Sequence, residues 1–272
     1  MALIAMVSAK SAPGITTSVA LLASVWPSQV VVVDADPVGG SLATGWLGGL
    51  AYPDRSILSF AIETANSGVS GPAKLDRHLQ RVPGVPDCLL MAGLTDSTQL
   101  RFITSAAWHR LANALSELSR SGSDVLVDCG RFGSTTPMPL LTAADLVLIA
   151  VRPRERDWGA ARCLAGQLRS VTDADRLGLA VCATTPLGTM ATEQYLGLYA
   201  IVALPNNRRV AMAFSDRRRR SVGFGRSRLV RTAARTASLL HVVVNKDQST
   251  VPPQVGAARV FDGPQYESKW SG

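Results

Sequence analysis

The chain has 272 residues, 47% of them hydrophobic, and a formal net charge of +8 at pH 7. This length and composition are ordinary for a globular protein and favour a single domain with a sizeable core. Two classes are excluded: the longest apolar runs are too short to span a bilayer of about 30 Å, and the N-terminal segment lacks the charged stretch and long apolar run of a secretory signal. We therefore expect a cytoplasmic protein.

Short apolar runs alternate with helix-like stretches along the chain. The predicted strands are residues 2–7, 30–33, 88–91, 125–127, 146–151, 177–182 and 198–204. The predicted helices are residues 16–25, 57–65, 99–119, 155–170, 208–214 and 227–240. Continuous Val/Ile/Leu runs are typical of strands buried on both faces, so the pattern predicts an α/β fold with a mostly parallel central sheet flanked by helices on both faces. We expect this domain to occupy residues 1–240, and a weakly docked or disordered tail rich in Ser, Pro, Gly and Gln to occupy residues 241–272.

The first predicted strand runs into a loop that resembles a phosphate-binding loop. Residues 8–17 read SAKSAPGITT, which is a turn of small residues followed by two hydroxyls at the start of a helix. Backbone N–H groups at such a helix N-terminus favour an anion, and a threonine hydroxyl there can bind the magnesium that accompanies a nucleotide. The residue after Gly14, where a lysine normally reaches the phosphates, is Ile15.

Carboxylates follow two other predicted strands. The second strand ends in Asp34-Ala35-Asp36-Pro37, and the strand at 125–127 ends in Asp128-Cys129-Gly130. Ligands of open α/β sheets bind outside the carboxyl ends of the strands, so the loop and these carboxylates are predicted to meet at one magnesium nucleotide. We interpret Asp34 as the cap of a turn before Pro37.

Side chains that often carry metal or nucleophilic chemistry are dispersed. The four cysteines have no C-x-x-C spacing, and three of them lie in apolar runs, which indicates reduced core thiols. The three histidines have no carboxylate or cysteine at ligand spacing, and the sequence has no G-x-S-x-G elbow. A disulfide framework, a zinc site and a serine hydrolase are therefore not predicted.

Together, the loop and the strand ends resemble the MinD/ParA family of P-loop ATPases, whose variant loop has the form K-G-G-V-G-K-T-T. The resemblance covers roughly residues 1–240 and implies ATP and Mg²⁺ as cofactors. It implies that Lys10 is the signature lysine that reaches across a nucleotide-sandwich dimer, and that Asp36 orients the attacking water. It implies magnesium binding, directly or through water, by Thr16, Asp36 and Asp128. The implied nucleotide-binding residues are Lys10, Ser11, Ala12, Pro13, Gly14, Ile15, Thr16 and Thr17.

The loop also departs from the family pattern. Ile15 removes a charge-assisted phosphate contact of about 1.5–3 kcal/mol, and Pro13 removes a backbone N–H. Ser11 and Ala12 replace two glycines, which strains the loop by about 1 kcal/mol wherever a positive φ is needed. No adenine-side asparagine is evident near residues 181–185. Two outcomes stay open: weak nucleotide binding, supported by a dimer, or a vestigial site.

The excess positive charge is concentrated near the C-terminal end of the predicted domain. The arginines of this cluster that we assign to DNA binding are Arg217, Arg218, Arg219, Arg220, Arg226, Arg228, Arg231 and Arg235. The last four are predicted to lie along a helix whose other face is apolar. ParA-like proteins use basic surface here to hold DNA without reading its sequence, whereas MinD-like proteins use an amphipathic helix to hold membrane. Because the apolar face lacks Phe and Trp, DNA or a protein partner is favoured over a membrane; a solvated arginine face is the remaining alternative.

These observations predict a partitioning or positioning protein with a degenerate nucleotide site. In this interpretation it is a homodimer supported by nucleotide, and it binds DNA non-specifically, which places it at the nucleoid. One alternative is a non-catalytic scaffold, similar to the TadZ/CpaE group, that localises pilus or secretion machinery through a protein partner. The other is a slow ATPase of the ParA type.

Overall fold

The structure is a computed structural model that describes residues 1–10, 14–50, 52, 54–67, 71–215 and 224–246. The strands of this part of the chain are β1 (Leu3–Ser8), β2 (Val30–Asp34), β3 (Gln80–Arg81), β4 (Cys88–Met91), β5 (Asp124–Arg131), β6 (Leu146–Val151), β7 (Leu177–Thr184) and β8 (Ala200–Pro205). Its α-helices are α1 (Ile15–Ala23), α2 (Leu42–Gly45), α3 (Ile57–Ser67), α4 (Pro72–Leu75), α5 (Ser105–Arg120), α6 (Met138–Ala143), α7 (Glu155–Leu168), α8 (Pro186–Leu196), α9 (Arg208–Ser215) and α10 (Arg228–Lys246).

All of these strands form one sheet in the order β3-β4-β2-β5-β1-β6-β7-β8. Every neighbouring pair is parallel except β3 with β4, at one edge. The predicted α/β class with a mostly parallel sheet is therefore confirmed. Among the described helices, none is long and apolar enough to cross a membrane.

Alternate residues of each central strand enter two core layers. In β1, Leu3, Ala5 and Val7 pack with α3, α5, α6 and α7 on one face of the sheet. Ile4 and Met6 pack with α1, α9 and α10 on the other face. Because both faces are covered, all six residues of β1 are buried, which explains why the strands read as continuous apolar runs.

Each predicted strand has a counterpart in the sheet, whereas the helix predictions need correction. The stretch predicted as one helix over 99–119 divides into a 3₁₀ segment, Ser97–Phe102, and α5. The division follows Thr104, whose hydroxyl accepts a hydrogen bond from the Ala107 N–H at 3.2 Å and caps α5. The short elements β3, α2, α4 and α6 and the longer α8 have no counterpart among the predictions, and α10 continues past the predicted end to Lys246.

Candidate nucleotide site

The loop after β1 leaves the middle of the sheet. Ser8 at the end of β1 pairs with Arg131 on β5 and with Ala150 on β6. Ser11, Ala12 and Pro13, which the sequence assigns to nucleotide binding, lie outside the described residues. The described chain resumes at Gly14, whose φ of 107° lies in the left-handed region that glycine tolerates, and α1 begins at the next residue.

Ile15, which replaces the P-loop lysine, is a core residue. Its side chain is only 5% exposed and packs in the core layer that α1 shares with α9 and α10. The hydroxyl residues that follow, Thr16 and Thr17, are partly exposed. The start of α1 therefore presents hydroxyls to the edge of the sheet, while the position that usually carries a lysine faces inward.

Lys10 contacts its own chain. The exposed lysine donates a hydrogen bond from Nζ to the backbone carbonyl of Arg156, in the first turn of α7. Its predicted role across a dimer would require it to leave this carbonyl.

Asp128, near the end of β5, is fully buried. Its Oδ1 accepts a hydrogen bond from the Gly130 N–H at 2.9 Å, and its Oδ2 has no partner of good geometry among the described residues. Burial raises the pKa of this carboxyl to about 6, although the nearby Thr16 hydroxyl and the Gly130 N–H act in the opposite direction. Asp128 and Thr16, two of the predicted magnesium ligands, are thus neighbours.

Asp36 lies against the chain just after Asp128. A Cβ built on Gly130 would be 2.3 Å from the Asp36 Cγ, so the absence of a side chain at Gly130 lets the carboxylate approach β5. Asp36 Oδ1 accepts a hydrogen bond from the Val38 N–H at 2.9 Å. Burial raises the pKa of Asp36, and the Val38 N–H partly offsets this.

Asp34 is a third carboxylate at this site, although the sequence predicts only a turn cap for it. The side chain is 1% exposed, and Asp34 pairs with Asp128 in the register of β2 and β5. Its Oδ2 accepts from the Leu42 N–H at 2.9 Å, while Oδ1 has no hydrogen-bond partner among the described residues. Burial, followed by the charge of Asp128, raises the pKa of Asp34 to about 8.

The predicted turn-cap role accounts for only part of the Asp34 environment. Its carboxyl does interact with the Asp36 backbone N–H, as a turn cap would. Its burial depends on Gly40, where a Cβ would lie 2.4 Å from Asp34 Oδ2. The sequence feature that could have indicated a buried Asp34 is its position at the end of an apolar Val run, with two glycines shortly after it.

These carboxylates alone do not form a complete metal-binding site. Among the described residues, no group of three or more His, Cys, Asp or Glu side chains is arranged to hold a metal ion. Magnesium usually binds through one or two carboxylates together with waters and substrate phosphates. The Thr16 hydroxyl and the unpartnered Asp128 Oδ2 fit that kind of site, in which a phosphate completes the coordination.

A cavity of about 360 Å³ opens at the same edge of the sheet, at the ends of β7 and β8. Its lining residues are Ala183, Thr184, Thr185, Pro205, Asn206, Asn207, Arg228 and Leu229. Cys182, which precedes this lining, lies beside the loop: a Cβ on Gly14 would be 3.9 Å from the Cys182 Cβ. The two amides follow β8, so a search for an asparagine at the end of β7 misses them.

The arginine cluster is only partly described. Arg217, Arg218, Arg219 and Arg220 lie outside the described residues. Arg226 precedes α10, and Arg228, Arg231 and Arg235 lie on its outer side; all four are exposed. The opposite side of α10 is buried through Leu229, Ala233, Ala237 and Leu240.

Comparisons with known proteins identify similar proteins by fold and not by sequence. The sequence matches no protein-family model and no curated protein. The structure is similar to a chain of the MinC:MinD cell division protein complex of Aquifex aeolicus, with a TM-score of 0.69 and 17% identity, covering 93% of this chain and 99% of that chain. It is also similar to a ParA family ATPase from Chlorobium tepidum, with a TM-score of 0.66 and 16% identity, covering 87% and 98%.

A third similar structure is the septum site-determining protein MinD of Pyrococcus horikoshii, complexed with Mg-ADP. Its TM-score is 0.66 and its identity 14%, covering 91% of this chain and 98% of that chain. The likeness extends over nearly the whole of each compared chain. The protein therefore has the fold of the MinD and ParA ATPases.

Proposed function

We propose that this protein is a partitioning or positioning factor of the MinD/ParA type, whose degenerate site binds MgATP to support a homodimer. The observation that carries the proposal is the meeting of Gly14, Thr16 and Asp128 at the carboxyl edge of the sheet, in a fold shared with a MinD that is complexed with Mg-ADP. A metabolic role has no comparable support, because the described acids and hydroxyls suit a magnesium phosphate rather than a small organic substrate.

The proposed ligand lies along the edge of the sheet. Its phosphates contact the backbone N–H groups at the start of α1, and its base extends past Cys182 to the cavity that Asn206 and Asn207 line. Magnesium, when bound, neutralises phosphate charge; Thr16 would hold it, and Asp128 and Asp36 would act directly or through water. The raised pKa of Asp128 falls when a cation is bound nearby, since a positive charge favours the carboxylate.

Hydrolysis is expected to be slow or absent. Phosphoryl transfer depends almost entirely on electrostatic stabilisation and positioning, and buried Ile15 contributes no charge. The family resemblance assigns the orientation of water to Asp36, and the raised pKa of Asp36 reduces its charged fraction. A slow ATPase is thus a second candidate: hydrolysis above background that is lost in Asp36→Ala would favour it.

Dimerisation and DNA binding complete the proposal. Lys10 is exposed and held by one carbonyl, so nucleotide from a second copy can compete for its ammonium group. The exposed arginines of α10 give a surface for phosphate contacts. We place the protein in the cytoplasm, at the nucleoid.

A non-catalytic scaffold that localises pilus or secretion machinery is a third candidate. Burial of Ile15 favours it, because that position has become part of the core rather than of a phosphate site. In this case the exposed arginines would contact a protein partner.

Calorimetric titration with MgATP separates these candidates. We expect the wild-type protein to bind and Thr16→Ala to bind more weakly, because that change removes the magnesium ligand. Thr142→Ala is the matched control, since it deletes an exposed threonine hydroxyl on α6, away from the loop, and should retain affinity. Absence of binding by wild-type protein at millimolar MgATP would overturn the nucleotide proposal and leave the scaffold.

A further inference from the structure

The proposed site is short of positive charge. Three carboxylates meet at the ends of β2 and β5, and Ile15 is buried where a lysine is usual. Among the described residues of the loop, the only cation is Lys10, which is engaged by the Arg156 carbonyl. A bound triphosphate would need another cation from a neighbouring element.

Arg152 lies just past the end of β6, the strand that pairs with β1. Ser8 and Ala150 are paired at the ends of β1 and β6, and Arg152 directly follows β6. Leu148 and Ala150 pack in the core layer that contains α1. Side chains alternate along a strand, and by that alternation Arg152, one residue past the end of β6, falls on the face of the sheet that α1 covers.

The charge of Arg152 acts on Cys182, which lies beside the start of α1. Burial raises the pKa of Cys182, and the Ser18 hydroxyl and the Arg152 charge both act against that rise. Cys182 Sγ is 3.4 Å from the Ser18 hydroxyl oxygen, and a Cβ on Gly14 would be 3.9 Å from the Cys182 Cβ. Arg152 is therefore within electrostatic reach of the Gly14–Ser18 turn, where a phosphate would lie.

We propose that Arg152 is the phosphate-binding cation of this site and replaces the lysine lost at Ile15. This inference rests on the proposed function, since it assumes that a nucleotide occupies the site. Arg152 is partly buried, which limits screening by water, and a guanidinium binds phosphate oxygens through two parallel N–H groups. Replacement from the neighbouring strand explains how the loop can carry an apolar residue in the core and still accept an anion.

The test compares MgATP affinity in Arg152→Ala and Arg154→Ala by calorimetry. Arg154 is the matched control because it lies in the same connection and is exposed. We expect Arg152→Ala to bind about ten- to a hundredfold more weakly, as for loss of a charge-assisted hydrogen bond, and Arg154→Ala to bind as wild type. Arg152→Lys should give an intermediate loss, since it keeps the charge without the planar fork.

Two further measurements separate a phosphate contact from a structural role. Competition by adenosine, which has no phosphate, should be unchanged in Arg152→Ala, whereas a general distortion of the site would weaken it too. Inorganic pyrophosphate, which has phosphates but no base, should lose affinity in Arg152→Ala by a factor similar to that for MgATP. If Arg152→Ala does not fold, Arg152→Gln, which keeps most of the side-chain length, replaces it in each comparison.

The outcomes distinguish this inference from the proposed function. If wild-type protein binds MgATP and Arg152→Ala and Arg152→Lys bind it equally well, Arg152 is not the phosphate cation and the proposed function stands. If wild-type protein does not bind MgATP at all, the proposed function fails, and this inference fails with it. Equal losses in Arg152→Ala and Arg154→Ala would show only a general effect of net charge and would overturn the assignment.

Discussion

Two glycines shape the acidic end of the site. Gly130 has a φ of 62°, and a Cβ there would approach the Asp36 carboxyl within 2.3–2.7 Å. Gly40 makes similar room for Asp34. The acids can therefore lie against the backbone. This explains why glycines follow the D-x-D-P segment and why a glycine ends the D-C-G segment.

Replacing Gly130 should disturb the site more than the fold. Gly130→Ala is expected to lower the free energy of unfolding by about 1–2 kcal/mol through the positive φ alone, and to displace Asp36. Gly133→Ala is the control, because a Cβ at Gly133 meets nothing within 4 Å. Urea denaturation and MgATP titration of both variants check this; equal stability and affinity in the two would contradict the packing of Asp36 against Gly130.

Asp34 makes stability depend on pH in the metal-free protein. Its pKa rises from 3.8 to about 8 on folding, so between these values the folded state holds a proton that the unfolded state releases. The free energy of unfolding therefore falls as pH rises from about 4 to about 8, and becomes level above that range. Asp34→Asn should flatten this dependence and raise stability near neutral pH.

Urea denaturation in EDTA between pH 5 and pH 9 measures the effect. The comparison is between the pH slopes of wild-type protein and Asp34→Asn, since the two proteins differ only in this carboxyl. Identical slopes would mean that Asp34 is not held protonated by its burial.

At the residue scale, the sequence predicts which strand ends carry acids but not how they divide their roles. Asp36 and Asp34 are separated by one residue, yet Asp36 is partly exposed and Asp34 is fully buried. Burial at this edge depends on Gly40, which follows Asp34 closely in sequence, and on Gly93, which approaches Asp34 from a distant part of the chain. Local pattern cannot supply such neighbours.

Helix α10 is the element that connects the core to the proposed DNA surface. Its buried side packs on β8 and α1, and His241 Nδ1 lies 2.6 Å from Asp124 Oδ2 at the start of β5. Its outer side carries Arg228, Arg231 and Arg235. The helix is thus fixed to the sheet while its arginines face solvent.

DNA binding through α10 should be sensitive to salt. We expect the double variant Arg231→Ala/Arg235→Ala to bind duplex DNA more weakly, and the slope of log affinity against log salt to become shallower by about 0.9 for each DNA phosphate that the variant no longer neutralises. Fluorescence anisotropy over about 50–200 mM salt measures both quantities.

A second double variant controls for net charge. Arg77→Ala/Arg101→Ala removes two exposed arginines beside the helices of the other face of the sheet. It should retain wild-type affinity and slope. If both double variants bind DNA equally weakly, or both bind as wild type does, α10 is not the DNA surface.

At the element scale, long periodic helices are easier to predict than short or weakly amphipathic ones. Helix α10 is predictable because Leu229, Ala233, Ala237 and Leu240 form one apolar stripe that the structure buries. Helix α8 is missed because Leu187 and Met190 are exposed at 79% and 63%, so apolar residues lie on both of its sides. The sequence feature that indicates this helix is its start at Pro186 after Thr185, a standard N-cap pattern.

For the whole molecule, the site depends on sheet order rather than on any one motif. β5 lies between β1 and β2, so Asp128 is placed between the loop and the D-x-D-P segment. β6 and β7 follow β1 on its other side, which brings Cys182 beside Gly14 and Ser18 and Arg152 close enough for its charge to act on Cys182. The strand runs predict parallel pairing, but the order requires pairing between distant segments, which composition and periodicity do not encode. The inward position of Ile15 likewise depends on how α1 packs against α9 and α10.

The central claim is that MgATP holds two copies of this chain together. Sedimentation equilibrium with and without MgATP tests it most directly, with Lys10→Ala as the variant that removes the interaction across the dimer. We expect a species of 28.7 kDa without nucleotide, a species of twice that mass with MgATP, and a monomer under both conditions for Lys10→Ala. A wild-type protein that stays monomeric at millimolar MgATP, or a dimer whose mass is indifferent to nucleotide, would contradict it.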